Sequence, residues 1–149
     1  MKRFFTHLAM TALVLMTMSG CSKNNGDIGL WFGLWHLDSI EVNGEPDDAY
    51  DGNYYFLFQN KVFCIRWVDE INHDYIESFA EWQEGEGGKT LTINFVDNRY
   101  SPRVSEAIAD PYFSEVTTMD VLTLTSTSMV LSHVTPESST ITYRLTKWK

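Results

Sequence analysis

From Trp31 onward, apolar and polar residues alternate with a period of two. In Leu91-Thr92-Ile93-Asn94-Phe95, every second residue is apolar, as in a strand with one face in a core and one in water. The same period runs through Ile141, Tyr143 and Leu145 against Thr142, Arg144 and Thr146. The pattern predicts strands over Phe32–Val42, Tyr54–Gln59, Lys61–Asp69, Tyr75–Gln83, Lys89–Val96, Thr117–Thr125, Met129–Val134 and Thr140–Trp148. Asn43-Gly44, Asn60 and the run Glu84-Gly85-Glu86-Gly87-Gly88 supply turns.

One segment breaks the period. In Ser101-Pro102-Arg103-Val104-Ser105-Glu106-Ala107-Ile108-Ala109, a capping serine and a first-turn proline precede helix formers, and Asp110-Pro111 ends the run. This predicts one short helix between the fifth and sixth strands. Eight consecutive antiparallel strands on short connections predict an all-β, up-and-down barrel, because closure removes exposed sheet edges. Such a barrel is just wide enough to be filled by side chains or to hold one small ligand.

The front of the chain has a different texture. Lys2 and Arg3 precede an apolar run over Leu8–Met16, and Met18-Ser19-Gly20-Cys21 follows. That layout predicts a lipoprotein signal peptide over residues 1–20, with a mature chain beginning at Cys21. The apolar run falls well short of the about 20 residues of a spanning helix. Acyl and diacylglycerol groups on Cys21 would anchor the chain instead, two or more acyl chains being needed for stable attachment. Residues 21–30 read as a flexible tether and residues 31–149 as one domain. Ser22 carries no inner-membrane retention signal, which points to the outer membrane of the cell envelope. The tether lacks a dense acidic run, which favours the periplasmic face.

Charge narrows the partners. The chain has 20 acidic and 11 basic side chains and a formal net charge of −9. Removing residues 1–20 takes away two cations and no acid. Such a surface repels phosphate backbones, so nucleic acid is not an expected partner. With Cys21 acylated, Cys64 has no disulfide partner, and within Val62-Phe63-Cys64-Ile65 it reads as a small buried hydrophobe.

The opening Gly33-Leu34-Trp35 resembles the Gly-x-Trp of lipocalin-like proteins. Leu122-Thr123-Leu124, Ser128-Met129-Val130-Leu131 and the ending Ile141–Trp148 are similar to the late strands of small lipocalin-like lipoproteins of Bacteroides and related bacteria. The resemblance implies that Trp35, beside Gly33, plugs the closed end of the barrel, and that Arg144 stacks over it as a cation on a ring. It also implies a barrel interior able to take a small apolar ligand at its mouth. Trp35, Phe56, Phe58, Trp67, Phe95 and Tyr143 are the candidate interior or ligand-contact residues. Tyr54–Phe58 and Val62–Trp67 are apolar on both faces, and their outer face needs a packed element, a partner or a ligand. A filled barrel with an aromatic outer face would instead suit an accessory protein of an envelope assembly.

Other chemistry finds no support in the sequence. His36 and Asp38 share a strand face, but no ligand spacing characteristic of a metal site occurs. Asp47-Asp48-Ala49-Tyr50-Asp51-Gly52 fails the calcium-loop pattern, with Ala49 at its third position and Phe58 at its twelfth. Glu77 and Glu81 would lie about 13 Å apart along a strand, too far for a glycosidase pair. No nucleophile motif appears. The chain is expected to be neither an enzyme nor a carrier of a metal or cofactor.

Overall fold

The computed structural model describes residues 29–69, 71–95 and 112–148. Nine strands follow one another: β1 Gly33–Val42, β2 Glu45–Pro46, β3 Tyr54–Gln59, β4 Val62–Asp69, β5 Asp74–Glu84, β6 Thr90–Asn94, β7 Val116–Leu124, β8 Ser128–Val134 and β9 Thr140–Trp148. β1 and β3 to β9 pair in sequence order, and β1 also pairs with β9, which closes an antiparallel barrel of eight strands. β2 lies outside the ring, paired only to the far end of β1 at Glu41 and Val42.

The eight expected strands are the eight of the barrel, and the turn chemistry is where the sequence put it. Asn43 and Gly44 both take positive φ, the geometry that a tight hairpin turn requires. Asn60 does the same between β3 and β4. The glycine-rich run forms a 3₁₀ turn, Glu86–Gly88, between β5 and β6. It is the only helical element among the described residues. The helix expected over residues 101–109 lies outside the described residues, as do Cys21 and the signal segment. No described helix is long and apolar enough to cross a membrane.

Alternation sets the core. Trp35, Leu37, Phe56, Phe58, Phe63, Ile65, Leu91, Ile93, Met119, Met129, Leu131, Ile141, Tyr143 and Leu145 are all buried inside the ring. Each full burial stabilises by about 1.5–3 kcal/mol. Two bulges shift the alternation. β1 slips between Leu37 and Ser39, so that its inward residues change from Trp35 and Leu37 to Ile40. β7 slips between Val121 and Thr123. Such bulges bend a strand and tighten its twist, as a small barrel needs.

Size matching fills the centre. On β5 the inward residues Ser78 and Ala80 are small and buried. They stand in register with Ile65 and Phe63 of β4. The space they leave is taken by the Phe56, Phe58 and Phe63 rings, whose centroids lie 5.1–5.3 Å apart around Phe63.

Candidate functional site

The two ends of the barrel differ. At the closed end, where β1 starts and β9 ends, Trp35 is fully buried. Its Nε1 donates to Trp31 O at 2.8 Å. Trp31, Phe58 and Trp82 pack on one another in the same cluster, with ring centroids 5.2–5.6 Å apart. Trp35 thus sits in the core at the end where β1 starts.

The cation over that ring is Lys147 and not Arg144. Lys147 Nζ stands 4.3 Å from the Trp35 ring centroid and donates to Leu30 O at 3.2 Å and to Phe32 O. Burial pushes its pKa down. Arg144 points outward, where its Nε meets Glu41 Oε1 at 2.6 Å. That bond lowers the Glu41 pKa and raises the Arg144 pKa. The reason is the period of two. Tyr143, Leu145 and Lys147 share the inner face of β9, and Arg144 is on the other. Gly33 keeps its expected place at this end, with φ at +118°, and a Cβ there would stand 3.0 Å from Lys147 Cε.

At the other end, where β1 ends and β9 starts, a residue outside the strands packs onto the core among the described residues. Phe113, just before β7, packs its ring against five others. The centroids of Phe56, Phe63, Phe95, Tyr143 and His133 lie 6.0, 6.4, 5.9, 5.6 and 6.4 Å away. His133 continues the inward row Met129, Leu131 of β8 and is itself buried. Its ring stacks on Tyr143 at 5.8 Å, nearly parallel, and its Nε2 lies 3.3 Å from the Tyr143 hydroxyl. Desolvation lowers the His133 pKa.

The six candidate contact residues therefore divide. Phe56, Phe95 and Tyr143 meet around Phe113 at the mouth. Trp35 and Phe58 belong to the solid closed end. Trp67 is not an interior residue: it sits half-buried on the rim, its Nε1 donating to Asp51 Oδ2 at 3.0 Å. β4 and β5 run past the core there as a hairpin, so its last residues leave the packed interior. His133 was legible from alternation. Phe113 was not, since no periodicity marks it, and only the apolar pair Tyr112-Phe113 before the polar Ser114-Glu115 draws notice.

The acidic segment over residues 47–52 serves its own turn. Asp47 Oδ1 accepts from Ala49 N at 3.0 Å, and its Oδ2 from the Tyr112 hydroxyl at 2.9 Å. Asp51 Oδ1 accepts from Asn53 N at 3.0 Å. His36 does bond Asp38 on the shared face, at 2.7 Å, and Gly52 O at 2.9 Å. Among the described residues, no three His, Cys, Asp or Glu side chains converge as a metal site would need.

On the outer wall, Cys64 is buried although it faces away from the core, between Leu57 and Phe79 in register. Burial pushes its thiol up to about 12, so it is an inert packing residue at neutral pH. Tyr55, on the same outer side of β3, packs with His36 and Trp148 at 5.0 and 5.6 Å. Trp148 remains 52% exposed.

No protein-family model matches the chain, and no curated protein matches it by sequence. Solved structures do match its fold. A lipocalin-like protein from Bacteroides uniformis superposes with a TM-score of 0.63 at 15% identity, over 80% of this chain and 100% of its own. An uncharacterized protein from Bacteroides eggerthii gives 0.61 at 17% identity, over 79% of this chain and 99% of its own. The fold of the chain is lipocalin-like.

Proposed function

We propose that this chain is a lipid-anchored envelope protein whose barrel takes a small apolar ligand at its open end. The observation that carries this reading is the ring of Phe113 among Phe56, Phe63, Phe95, Tyr143 and His133. The five residues around Phe113 are at most 8% exposed, so a ligand would reach their aromatic faces by displacing the half-buried Phe113, and such faces are the kind of lining that small-molecule sites use. Because the closed half is packed solid by Trp31, Trp35, Phe58 and Trp82, the ligand is held against the mouth rings and does not enter the barrel deeply.

The anchor fits the same geometry. The described chain begins beside the closed end, where Leu30 and Phe32 hold Lys147. With Cys21 acylated, the stretch from Cys21 to Gly29 reaches at most about 30 Å. The tether then joins the barrel at its closed end, away from the mouth. In this reading the protein belongs to the outer membrane and favours its periplasmic side. It needs no metal or cofactor beyond the acyl and diacylglycerol groups, carries out no catalysis and binds no nucleic acid.

The accessory reading has one observation in its favour, the aromatic trio His36, Tyr55 and Trp148 on the outer wall. There an envelope protein partner would cover the exposed Trp148. Native mass spectrometry of the chain purified from its own host's membranes tests between them. A co-purifying small molecule, lost on heating, supports the mouth reading, and a co-purifying protein with no small molecule supports the outer-wall one.

A further inference from the structure

The β4–β5 hairpin, which runs past the core, ends in an apolar tip. Ile71 is 89% exposed, more than any other large apolar side chain described, and Tyr75 and Ile76 are 57% and 42% exposed. In register, Tyr75 stands opposite the half-buried Val68 and Ile76 opposite the half-buried Trp67. Single exposed apolar residues are ordinary, whereas neighbours on one element mark a contact surface. The tip is also held in shape. Asp69 Oδ1 accepts from Ile71 N at 3.0 Å and from Asn72 N at 3.1 Å. Its Oδ2 accepts from Asn72 Nδ2 at 2.5 Å. On the outer face, the Arg66 guanidinium lies 5.1 Å from the Tyr75 ring centroid and donates to Glu77 Oε1 at 2.6 and 2.8 Å. Ile71 and Tyr75 are therefore presented on a fixed frame, which lowers the ordering cost of binding.

Charge selects the occupant. Asp69 and Asp74 flank the tip, and Asp51 is bonded to Trp67 at its base. The one cation described on the hairpin, Arg66, is held by Glu77. Lys61, Lys89 and Lys147 lie at the opposite, closed end of the barrel. In the sequence of residues 96–111, Arg99 and Arg103 are outnumbered by Asp97, Glu106 and Asp110, so that stretch brings no net positive charge. An anionic lipid surface would be repelled from such a tip. A second copy docking by the same face would set the acids of one hairpin against those of the other. A protein surface with an apolar pocket rimmed by lysine or arginine complements both the side chains and the charge.

We infer that the β4–β5 tip docks a basic protein partner, with Ile71 and Tyr75 set into an apolar pocket and Asp69, Asp74 and Asp51 facing the cations around it. This goes beyond the mouth reading and does not depend on it.

The test expresses the full chain in its own host with the photo-crosslinker p-benzoylphenylalanine in place of Ile71, of Tyr75 or, as a control, of the exposed Leu122 on β7. Irradiation should give one discrete protein adduct from positions 71 and 75 and none from 122. The crosslinked peptide should carry lysine or arginine beside apolar residues. That partner, purified, is then titrated against the full chain in lipid nanodiscs. Ile71→Asp should weaken binding at least about tenfold, and Ile71→Leu should keep it. Added salt should weaken binding of the native chain more than that of Asp74→Asn, which keeps the oxygen that accepts from Tyr75 N. Because Ile71 lies outside the core, Ile71→Asp should leave the thermal midpoint unchanged, along with uptake at the mouth of the apolar fluorophore N-phenyl-1-naphthylamine. The inference is overturned by the absence of any adduct, by an adduct to lipid or to a second copy of this chain, by the same adduct from position 122, by an adduct on an acidic segment, or by binding that Ile71→Asp does not weaken.

Discussion

Gly33 stands under Lys147: a Cβ on Gly33 would come within 3.0 Å of Lys147 Cε, and the backbone φ of +118° is one that side chains rarely adopt. The glycine is thus needed twice, for its own conformation and for the passage of the lysine to Trp35. Gly33→Ala should destabilise the fold by about 1–3 kcal/mol. Gly44→Ala shares a positive φ but meets nothing within 4 Å. Thermal denaturation of the two variants should therefore show the larger loss at Gly33.

Lys147→Met removes a cation from the Trp35 face and leaves two backbone carbonyls without their donor. The expected cost is about 1–2 kcal/mol. Arg144→Met breaks only an exposed ion pair with Glu41, worth about 0–1 kcal/mol. Urea unfolding of both variants should rank Lys147 above Arg144. The reverse order would mean that the outer pair, not the cation over Trp35, secures the barrel seam.

His133 ties stability to pH. Its folded pKa lies below the ordinary value near 6.5, so the unfolded chain binds the extra proton first. The contribution is fully present above about pH 6.5 and is lost as pH falls through the lower folded value. Denaturation midpoints of the native chain should drop over this acid window more steeply than those of His133→Asn, which carries no titrating ring. Parallel profiles would assign the acid loss to other groups.

Phe113→Ala should act in two directions. Emptying the mouth of one half-buried ring should cost about 1–3 kcal/mol of stability, less than the 3–5 kcal/mol of a fully buried phenylalanine. The same change should increase the saturable uptake of N-phenyl-1-naphthylamine, because the ring and the probe occupy the same apolar space. Loss of stability without any gain in uptake would make Phe113 purely a core residue.

The barrel was legible because its signals are local. The period of two places each strand's inner face, and Asn43-Gly44 and Asn60 mark hairpins by the positive φ they tolerate. The same period placed Arg144 outside and Lys147 inside, and the expectation for Arg144 failed because it followed the resemblance over the alternation. β2 escaped notice because two residues, one a proline, carry no pattern. The slip of β1 at Leu37–Ser39 is likewise invisible, since a bulge is a choice of backbone and not of residue type. Phe113 was hidden for a different reason. Its place depends on where a connection outside the strands crosses the barrel mouth, which no sequence period encodes.

The central claim is that ligand meets this protein at the mouth rings. The most direct measurement is aromatic ¹H–¹³C NMR of the full chain in nanodiscs, titrated with a lipid extract of its own host. The account predicts shifts at Phe56, Phe95, Phe113 and Tyr143, with Trp35 and Phe58 unmoved. Shifts confined to His36, Tyr55 and Trp148 on the outer wall, or no shifts at all, would contradict it.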